Sequence, residues 1–313
     1  MQSPPRSAMR ANCPRLGERM YKGIEGARGW LAWTVVFGHL AITTPLSRLP
    51  LSRWPGDMAG WAVAVFIVVS GFVITHLLVN KQERYGVYIL RRALRIYPAY
   101  LIGLVLGAAL AGQAHDLLNA LPVAPELLAR MEAQQQAWRA DPPAYMLLHL
   151  TLLHGMVPND LLAESQYLPL PPAWSLSLEW QFYLVAPLLL LGLRRHPAVT
   201  VGLSLVLLAA FQRGVFGSFH VPSLIFGVAW YFLLGMLTFL HLDRLPRFAR
   251  YPWTILLLAL STVSISREFL PFVAWLAIVL YLRSDSLWPA LDGRFFRYLG
   301  AGPIRSISST IRS

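Results

Sequence analysis

Two basic side chains lie on the first apolar stretch of the chain, at a spacing that places them on one face of a helix. Arg28 and His39 are eleven residues apart in GARGWLAWTVVFGH, residues 26–39. At about 100° per residue, eleven residues bring a helix back to within roughly 20° of its starting direction and advance roughly 16 Å along its axis. The Arg28 guanidinium at the start of an apolar run and the His39 imidazole within that run indicate a reaction path through part of a membrane. Arg28 is equally compatible with a membrane-edge anchor. The alternative for His39 is a satisfied buried histidine, which is less favoured because polar groups inside a membrane are costly and usually face a functional cavity.

A single carboxylate stands in another apolar stretch, LPPAWSLSLEWQFYLVAPLLLL, residues 170–191. Ser175, Glu179 and Tyr183 recur every four residues, so a helix would carry all three on one face. A charged group within a membrane span costs about 3 kcal/mol or more unless it is paired or hydrated. Glu179 therefore requires a partner from elsewhere in the fold, and His39 and the arginines are the candidates.

Three arginines follow in YILRRALRIYPAY, residues 88–100: Arg91, Arg92 and Arg95. Clustered basic residues beside an apolar run are typical of anchoring on the cytoplasmic side of a membrane, which is the favoured interpretation. The alternative is a phosphate clamp, because a guanidinium offers a planar fork of donors to anionic oxygens.

A serine and a glycine, Ser70 and Gly71, lie in the middle of WAVAVFIVVSGFVIT, residues 61–75. Small residues in a membrane helix allow a neighbouring backbone to approach closely. Helix packing is therefore the favoured interpretation of this pair, and a role of Ser70 in a site is the alternative.

The composition indicates an integral membrane protein. Of 313 residues, 56% are hydrophobic and only 13% are charged, whereas soluble domains carry about 25% charged residues. The net charge of +12 comes from short basic clusters between apolar runs, a pattern that orients a membrane protein and does not indicate nucleic acid. The one cysteine, Cys13, excludes an intrachain disulfide and a cysteine-based metal site, and we expect no metal.

The pattern of apolar runs predicts an all-α, polytopic helical bundle with about eight transmembrane helices and one short re-entrant or interfacial helix. The runs are residues 29–46, 59–79, 93–112, 173–193, 198–212, 222–240, 253–266 and 269–282. Residues 1–28 form a basic arm, residues 29–300 a membrane domain, and residues 113–172 a large outer loop. Within that loop, YMLLHLTLLHG (residues 145–155) reads as an apolar helix too short to cross a bilayer.

The distribution of charge predicts the orientation. With the arm inside and each run crossing once, most of the 27 Lys and Arg residues fall in inner segments. We therefore expect a multi-pass protein of the bacterial cytoplasmic (inner) membrane with a cytoplasmic N-terminus. A cleavable signal peptide is not expected, because a long basic arm precedes the first run and no clear cleavage site follows it.

Taken together, four blocks resemble the acyltransferase-3 family of integral membrane proteins. They are R-x10-H in the first run, S-G-F-V-I in the second, R-R-x-x-R-I-Y-P before the third, and W-S-L-S-x-E-x-Q-F-Y in the fourth. The blocks stand in the family's order. The resemblance implies that Arg28 and His39 are essential, with Arg91, Arg92, Arg95 and Glu179 in supporting positions. It leaves Ser70, Trp174, Ser175 and Tyr183 as candidates for acceptor binding or support.

The resemblance implies an enzyme that moves an acyl group, expected to be acetyl, from cytoplasmic acyl-CoA to a hydroxyl of a cell-surface glycan. His39 is the expected general base, the arginines are expected to bind the donor's phosphates, and Glu179 is expected to orient the imidazole or bind the acceptor. Direct transfer and an acyl-histidine relay both remain open. The expected partners are membrane lipid, acyl-CoA as co-substrate and a carbohydrate acceptor, with no further cofactor and no nucleic acid.

Two alternatives compete with the enzyme. A transporter or flippase for a lipid-linked glycan would use the same polar residues as a substrate path, but the inverted repeats that favour it are not found. A purely structural membrane subunit leaves His39 and Glu179 unexplained.

The chain also departs from the family's pattern. Ala64 stands where many members have Asp, and Trp180 follows Glu179 where many have a second Glu. Residues 301–313 form a polar tail in place of the family's final motif and span. One choice of codons for residues 303–313, read two bases later, gives Tyr-Ser-Phe-Tyr-Leu-Val-Tyr-His-Pro-Phe, which is close to that motif. We therefore expect a frameshift here and an impaired activity of the chain as written.

Overall fold

The computed structural model describes residues 24, 26–41, 53–111, 113, 125–242 and 270–283. Within these residues the chain is helical and contains no strand, which confirms the predicted all-α class. The helices are α1 (residues 26–41), α2 (Arg53–Asn80), α3 (Tyr85–Leu110), α4 (Pro125–Ala140), α5 (Pro142–Leu150), α6 (Trp174–Arg195), α7 (Pro197–Gln212), α8 (Ala229–Leu240) and α9 (Leu270–Arg283).

Three of the described helices are long and apolar enough to cross a membrane. They are Ala59–Asn80 within α2, all of α3, and Pro171–Arg195, which comprises a 3₁₀ turn and α6. α7 and α8 are apolar but shorter, with 16 and 12 residues. Membrane character is thus supported, while the predicted count of about eight crossings is not confirmed. The predicted run 253–266 and the tail 301–313 lie outside the described residues.

Several boundaries differ from the sequence prediction, and the starts of α3 and α8 differ most. α3 begins at Tyr85, eight residues before the predicted run, so Arg91, Arg92 and Arg95 lie on the helix itself. Only four polar residues, 81–84, separate it from α2. The predicted run 222–240 is helical only from Ala229, because residues 225–227 form a 3₁₀ turn. Apolar composition alone does not show where a backbone is held in a tighter turn.

The chain divides into two compact units. The described part of the first comprises Ile24 and residues 26–38, 57–69 and 270–283. In this unit Arg28 is 9% exposed, and its guanidinium carbon lies 4.6 Å above the centre of the Phe66 ring. A cation over an aromatic face is attracted by the ring's negative charge density, so this contact favours a buried guanidinium.

The second unit, whose described part is residues 39–41, 53–56, 70–111, 113 and 125–242, is built around α6. α6 packs against α3, α7 and the 3₁₀ turns at residues 154–156 and 225–227. The Phe182 and Phe232 rings stack at 4.0 Å, and Phe232 lies on α8. Phe182 and Phe232 are fully buried.

Close packing of α2 on α8 depends on a glycine. A β-carbon added at Gly71 would overlap the backbone carbonyl of Phe232. The two helix backbones therefore touch at this point, as small residues in membrane helices allow. The structure confirms a helix-packing role for Gly71.

The segment between α4 and α6 packs on α6 and does not extend away from it. Asp141 caps α5 by accepting a hydrogen bond from the backbone N–H of Ala144 at 3.1 Å. α5 ends at Leu150, and a 3₁₀ turn at residues 154–156 follows in place of the continuous predicted helix 145–155. Ser177 of α6 fixes this turn, because its hydroxyl donates to Leu152 O at 2.7 Å and accepts from Gly155 N at 3.1 Å.

Two histidines stack inside this segment, outside the candidate spans. The rings of His149 and His154 lie 3.7 Å apart and 5° from parallel, and neither side chain is exposed. Among the described residues, Nε2 of His149 and both ring nitrogens of His154 have no hydrogen-bond partner. Burial lowers the pKa of His149 to about 4; burial, and secondarily the neighbouring His149, lowers the pKa of His154 well below its usual value. Both rings are therefore neutral at pH 7.

We predict that Gly71→Ala lowers the free energy of unfolding by about 2 kcal/mol or more, because backbone atoms of α8 must move. Gly60→Ala on the same helix is the matched control, since an added β-carbon there meets nothing within 4 Å. Alanine should be neutral or stabilising at Gly60 by up to about 1 kcal/mol. The measurement is the thermal unfolding midpoint of the detergent-solubilised proteins. Equal midpoints for the two variants would contradict the packing contact.

We also predict that stability falls with acidification. The folded pKa values of His149 and His154 lie below that of an unfolded histidine, about 6.5, so acid protonates the unfolded chain first. The free energy of unfolding should decrease as the pH falls from about 6.5 towards 4. His154→Phe should reduce this loss without lowering the unfolding midpoint at pH 7.5. An unchanged acid dependence in the variant would count against His154 as a cause.

Candidate functional site

The carboxylate of Glu179 lies in a buried polar cluster between α2 and α6. Its Oε1 accepts a hydrogen bond from Tyr183 Oη at 2.5 Å and another from Ser70 Oγ at 3.4 Å. Ser70 and Tyr183 are each 1% exposed, and Glu179 is 5% exposed. Hydrogen bonds to a buried carboxyl group offset part of the cost of its burial. The structure thus joins Glu179 to two of the residues that the sequence proposed as support.

Helix α3 adds an arginine and a tyrosine to this cluster. The guanidinium carbon of Arg92 lies 5.8 Å from the centre of the Tyr183 ring, so this side chain is directed at α6. Tyr88, one helical turn before Arg92, is 2% exposed, and its hydroxyl has no hydrogen-bond partner among the described residues. The Nε of Arg92 is likewise buried and unpartnered there. Two donors therefore remain available beside the Glu179 carboxylate.

The neighbouring arginine has different surroundings. Arg91 Nη1 forms an ion pair with Glu83 Oε1 at 2.7 Å, with 54% of the Arg91 side chain exposed. An exposed pair of this kind contributes only up to about 1 kcal/mol. Arg95 lies one turn after Arg91 and is partly buried. Arg91 therefore pairs with Glu83, whereas Arg92 lies against Tyr183 of the cluster around Glu179.

The opposite face of α6 holds the rest of the unit in place. Gln181 Nε2 donates to Ser223 O and Gln181 Oε1 accepts from Ile225 N, both at 2.9 Å. With Ser177, this residue fixes the segments before and after α6 to the helix. Ser175 lies outside both groups of contacts, because its hydroxyl donates to Pro172 O at 3.2 Å. Trp174 is the first residue of α6 and is partly buried.

Arg28 and His39 lie on α1, as predicted from their spacing. His39 is exposed, whereas Arg28 is buried against Phe66. An exposed imidazole is accessible to a substrate, which a general base requires. The roles assigned to both residues stay predictions.

The Acyltransferase domain model of the acyltransferase-3 family matches residues 21–310, nearly the whole chain. The chain belongs to the acyltransferase-3 family. The matched range contains every candidate site residue predicted from the sequence. No curated protein and no solved structure shows significant similarity to it.

In this acyltransferase, sequence reasoning missed Tyr88, Ser177 and Gln181. Tyr88 lies four residues before Arg92, so helical spacing would have placed them together once α3 was known to begin at Tyr85. Ser177 and Gln181 are also four residues apart, on a different face from Glu179. Their hydrogen bonds are made to backbone groups of distant segments, which no local pattern in the sequence shows.

We predict that Arg92→Ala and Arg91→Ala differ strongly, although both remove one positive charge from the same end of α3. Arg92→Ala removes the cation beside Tyr183 and should lower acyl transfer by roughly tenfold or more. Arg91→Ala removes an exposed ion pair and should retain most activity. Both activities are expressed relative to that of the unsubstituted chain, by complementation of a deletion strain and mass spectrometry of acylated surface glycans. Equal losses at equal protein levels would show that only the total charge matters.

Proposed function

We propose that the protein is a membrane O-acyltransferase that moves an acyl group, expected to be acetyl, from cytoplasmic acyl-CoA to a hydroxyl of a cell-surface glycan. The family match over residues 21–310 supports acyl transfer in general. The observation that carries the proposal within the molecule is the buried cluster of Ser70, Glu179 and Tyr183 beside Arg92. Charged groups held inside a membrane protein are costly and usually functional.

In the proposed reaction His39 removes the proton from the acceptor hydroxyl. The hydroxyl oxygen then attacks the thioester carbonyl, the carbon–sulfur bond breaks, and the proton is passed to the departing CoA thiolate. An imidazole suits this role because its unperturbed pKa is near neutrality. The products are the glycan ester and free CoA.

Arg92 and Tyr88 are suited to stabilise negative charge on the donor. A guanidinium and a phenolic hydroxyl are both hydrogen-bond donors, and each has a buried unpartnered atom at this position. Preorganised donors of this kind stabilise the charge that develops on a carbonyl or phosphate oxygen. Glu179 would then fix Tyr183, whose ring lies beside Arg92.

Orientation is part of the proposal. We propose a multi-pass protein of the bacterial inner membrane with its N-terminus in the cytoplasm. The supporting observations are the apolar spans and the basic clusters that lie between apolar runs.

We predict that His39→Ala abolishes O-acylation while the protein still inserts and accumulates normally. The expected loss is at least about a hundredfold, in line with removal of a general base. His196→Ala is the matched control, because His196 is exposed at the junction of α6 and α7. Surface glycans are analysed by mass spectrometry in a deletion strain that carries each variant. Normal acylation with His39→Ala would remove this mechanism.

A further inference from the structure

Three segments that are distant in the sequence meet at the carboxylate of Glu164, away from the cluster around Glu179. His220 Nδ1 lies 2.6 Å from Glu164 Oε1, and Gln134 Nε2 donates to Oε2 at 2.8 Å. Arg130 Nη2 approaches the same Oε2 at 3.9 Å. Arg130 and Gln134 lie on α4, Glu164 in the segment before α6, and His220 in the segment before α8.

The backbone at Glu164 is held in an unfavourable conformation. Its φ is 56°, in the left-handed region that residues with a side chain rarely adopt. The Glu164 N–H donates to Asn159 Oδ1 at 3.1 Å, which helps to fix this conformation. Strain of about 1–3 kcal/mol persists only where surrounding contacts determine it, and it is concentrated at functional sites.

The carboxylate is shielded, while the groups it orients are accessible. The Glu164 side chain is 11% exposed, whereas His220 and Arg130 are 47% and 46% exposed. Arg130 lies 4.7 Å above the Tyr167 ring, and His220 stacks against the same ring at 6.4 Å. These contacts reduce the freedom of two exposed donors, so less entropy is lost when a ligand binds them.

A cavity opens next to these groups. Its volume is about 210 Å³, and it lies between the end of α3, α4 and residues 168–171. Gln134 connects the two features, because it lines the cavity and also donates to Glu164. The other lining is mainly apolar, from Leu110, Met131 and the Leu168–Pro171 segment. Sites for small molecules typically combine an apolar wall with a few fixed polar groups, although most are larger.

We propose that the cavity with Arg130, Gln134 and His220 is a carbohydrate-binding site that receives the acceptor. A sugar ring offers an apolar C–H face to the cavity wall and hydroxyl groups to the fixed polar side chains. The opposite charges of Arg130 and Glu164 offset each other, which favours a neutral, hydroxyl-rich ligand over an anion. The identity of this ligand as the acceptor rests on the proposed function, whereas the site itself rests on the geometry.

The test uses the full-length protein in lipid nanodiscs and a panel of neutral methyl glycosides of glucose, galactose, mannose and N-acetylglucosamine. Saturation-transfer NMR measures glycoside binding, and equilibrium dialysis with radiolabelled acetyl-CoA measures donor binding. His220→Ala removes one exposed donor, and Ala111→Trp fills the cavity without changing the polar groups. The controls are His241→Ala, an exposed histidine on the end of α8, and Leu106→Trp on the exposed face of α3.

At least one glycoside should bind the wild type, about tenfold more weakly in His220→Ala and Ala111→Trp and unchanged in the two controls. Acetyl-CoA binding should be equal in all five proteins. If no glycoside binds, or if both site variants bind as the wild type does, the carbohydrate site is refuted. If glycosides bind as expected and acetyl-CoA does not bind, the site stands and the proposed transferase function fails.

Discussion

The structure depends on placing one carboxylate inside an apolar helix. Glu179 is 5% exposed on a helix long enough to cross a membrane, so its carboxyl group must find hydrogen-bond partners within the protein. Ser70 supplies one hydroxyl from α2 and Tyr183 supplies another from α6 itself. Next to Ser70 in the sequence, Gly71 lets the backbone of α2 approach the backbone of α8 closely. Helix packing and the candidate site are therefore one arrangement.

α6 serves two purposes because its faces carry different polar residues. One face places Glu179 and Tyr183 beside α2 and α3, where the cluster has donors suited to a negatively charged group. The other face uses Ser177 and Gln181 to bind backbone groups of the flanking segments. A motif rich in polar residues within an apolar helix thus supports both the site and the fold. The segment that carries His149 and Glu164 is fixed to α6 through the hydrogen bonds of Ser177 with Leu152 and Gly155.

The features that could be predicted from the sequence were those set by local periodicity. The four-residue spacing of Glu179 and Tyr183 correctly placed both side chains on one face of a helix. The eleven-residue spacing correctly placed Arg28 and His39 on one helix. The start of α3 was predicted too late, because the sequence was divided by hydropathy and the arginines interrupt the apolar run. The helix directs Arg92 towards Tyr183 and Arg91 towards Glu83, which the grouping of the arginines in the sequence did not show. The phosphate clamp, the alternative to cytoplasmic anchoring, stays a prediction.

By itself the sequence determined the all-helical class, the membrane character and the family, because these follow from composition, from periodicity and from motifs read along the chain. Only the tertiary structure decided which side chains contact the carboxyl groups of Glu179 and Glu164. Ser70 and Glu179 are 109 residues apart, and the segments that meet at Glu164 come from three regions of the chain. A buried polar atom requires a partner, but its choice depends on how helices pack in space. Sequence spacing fixes only the face on which each side chain lies.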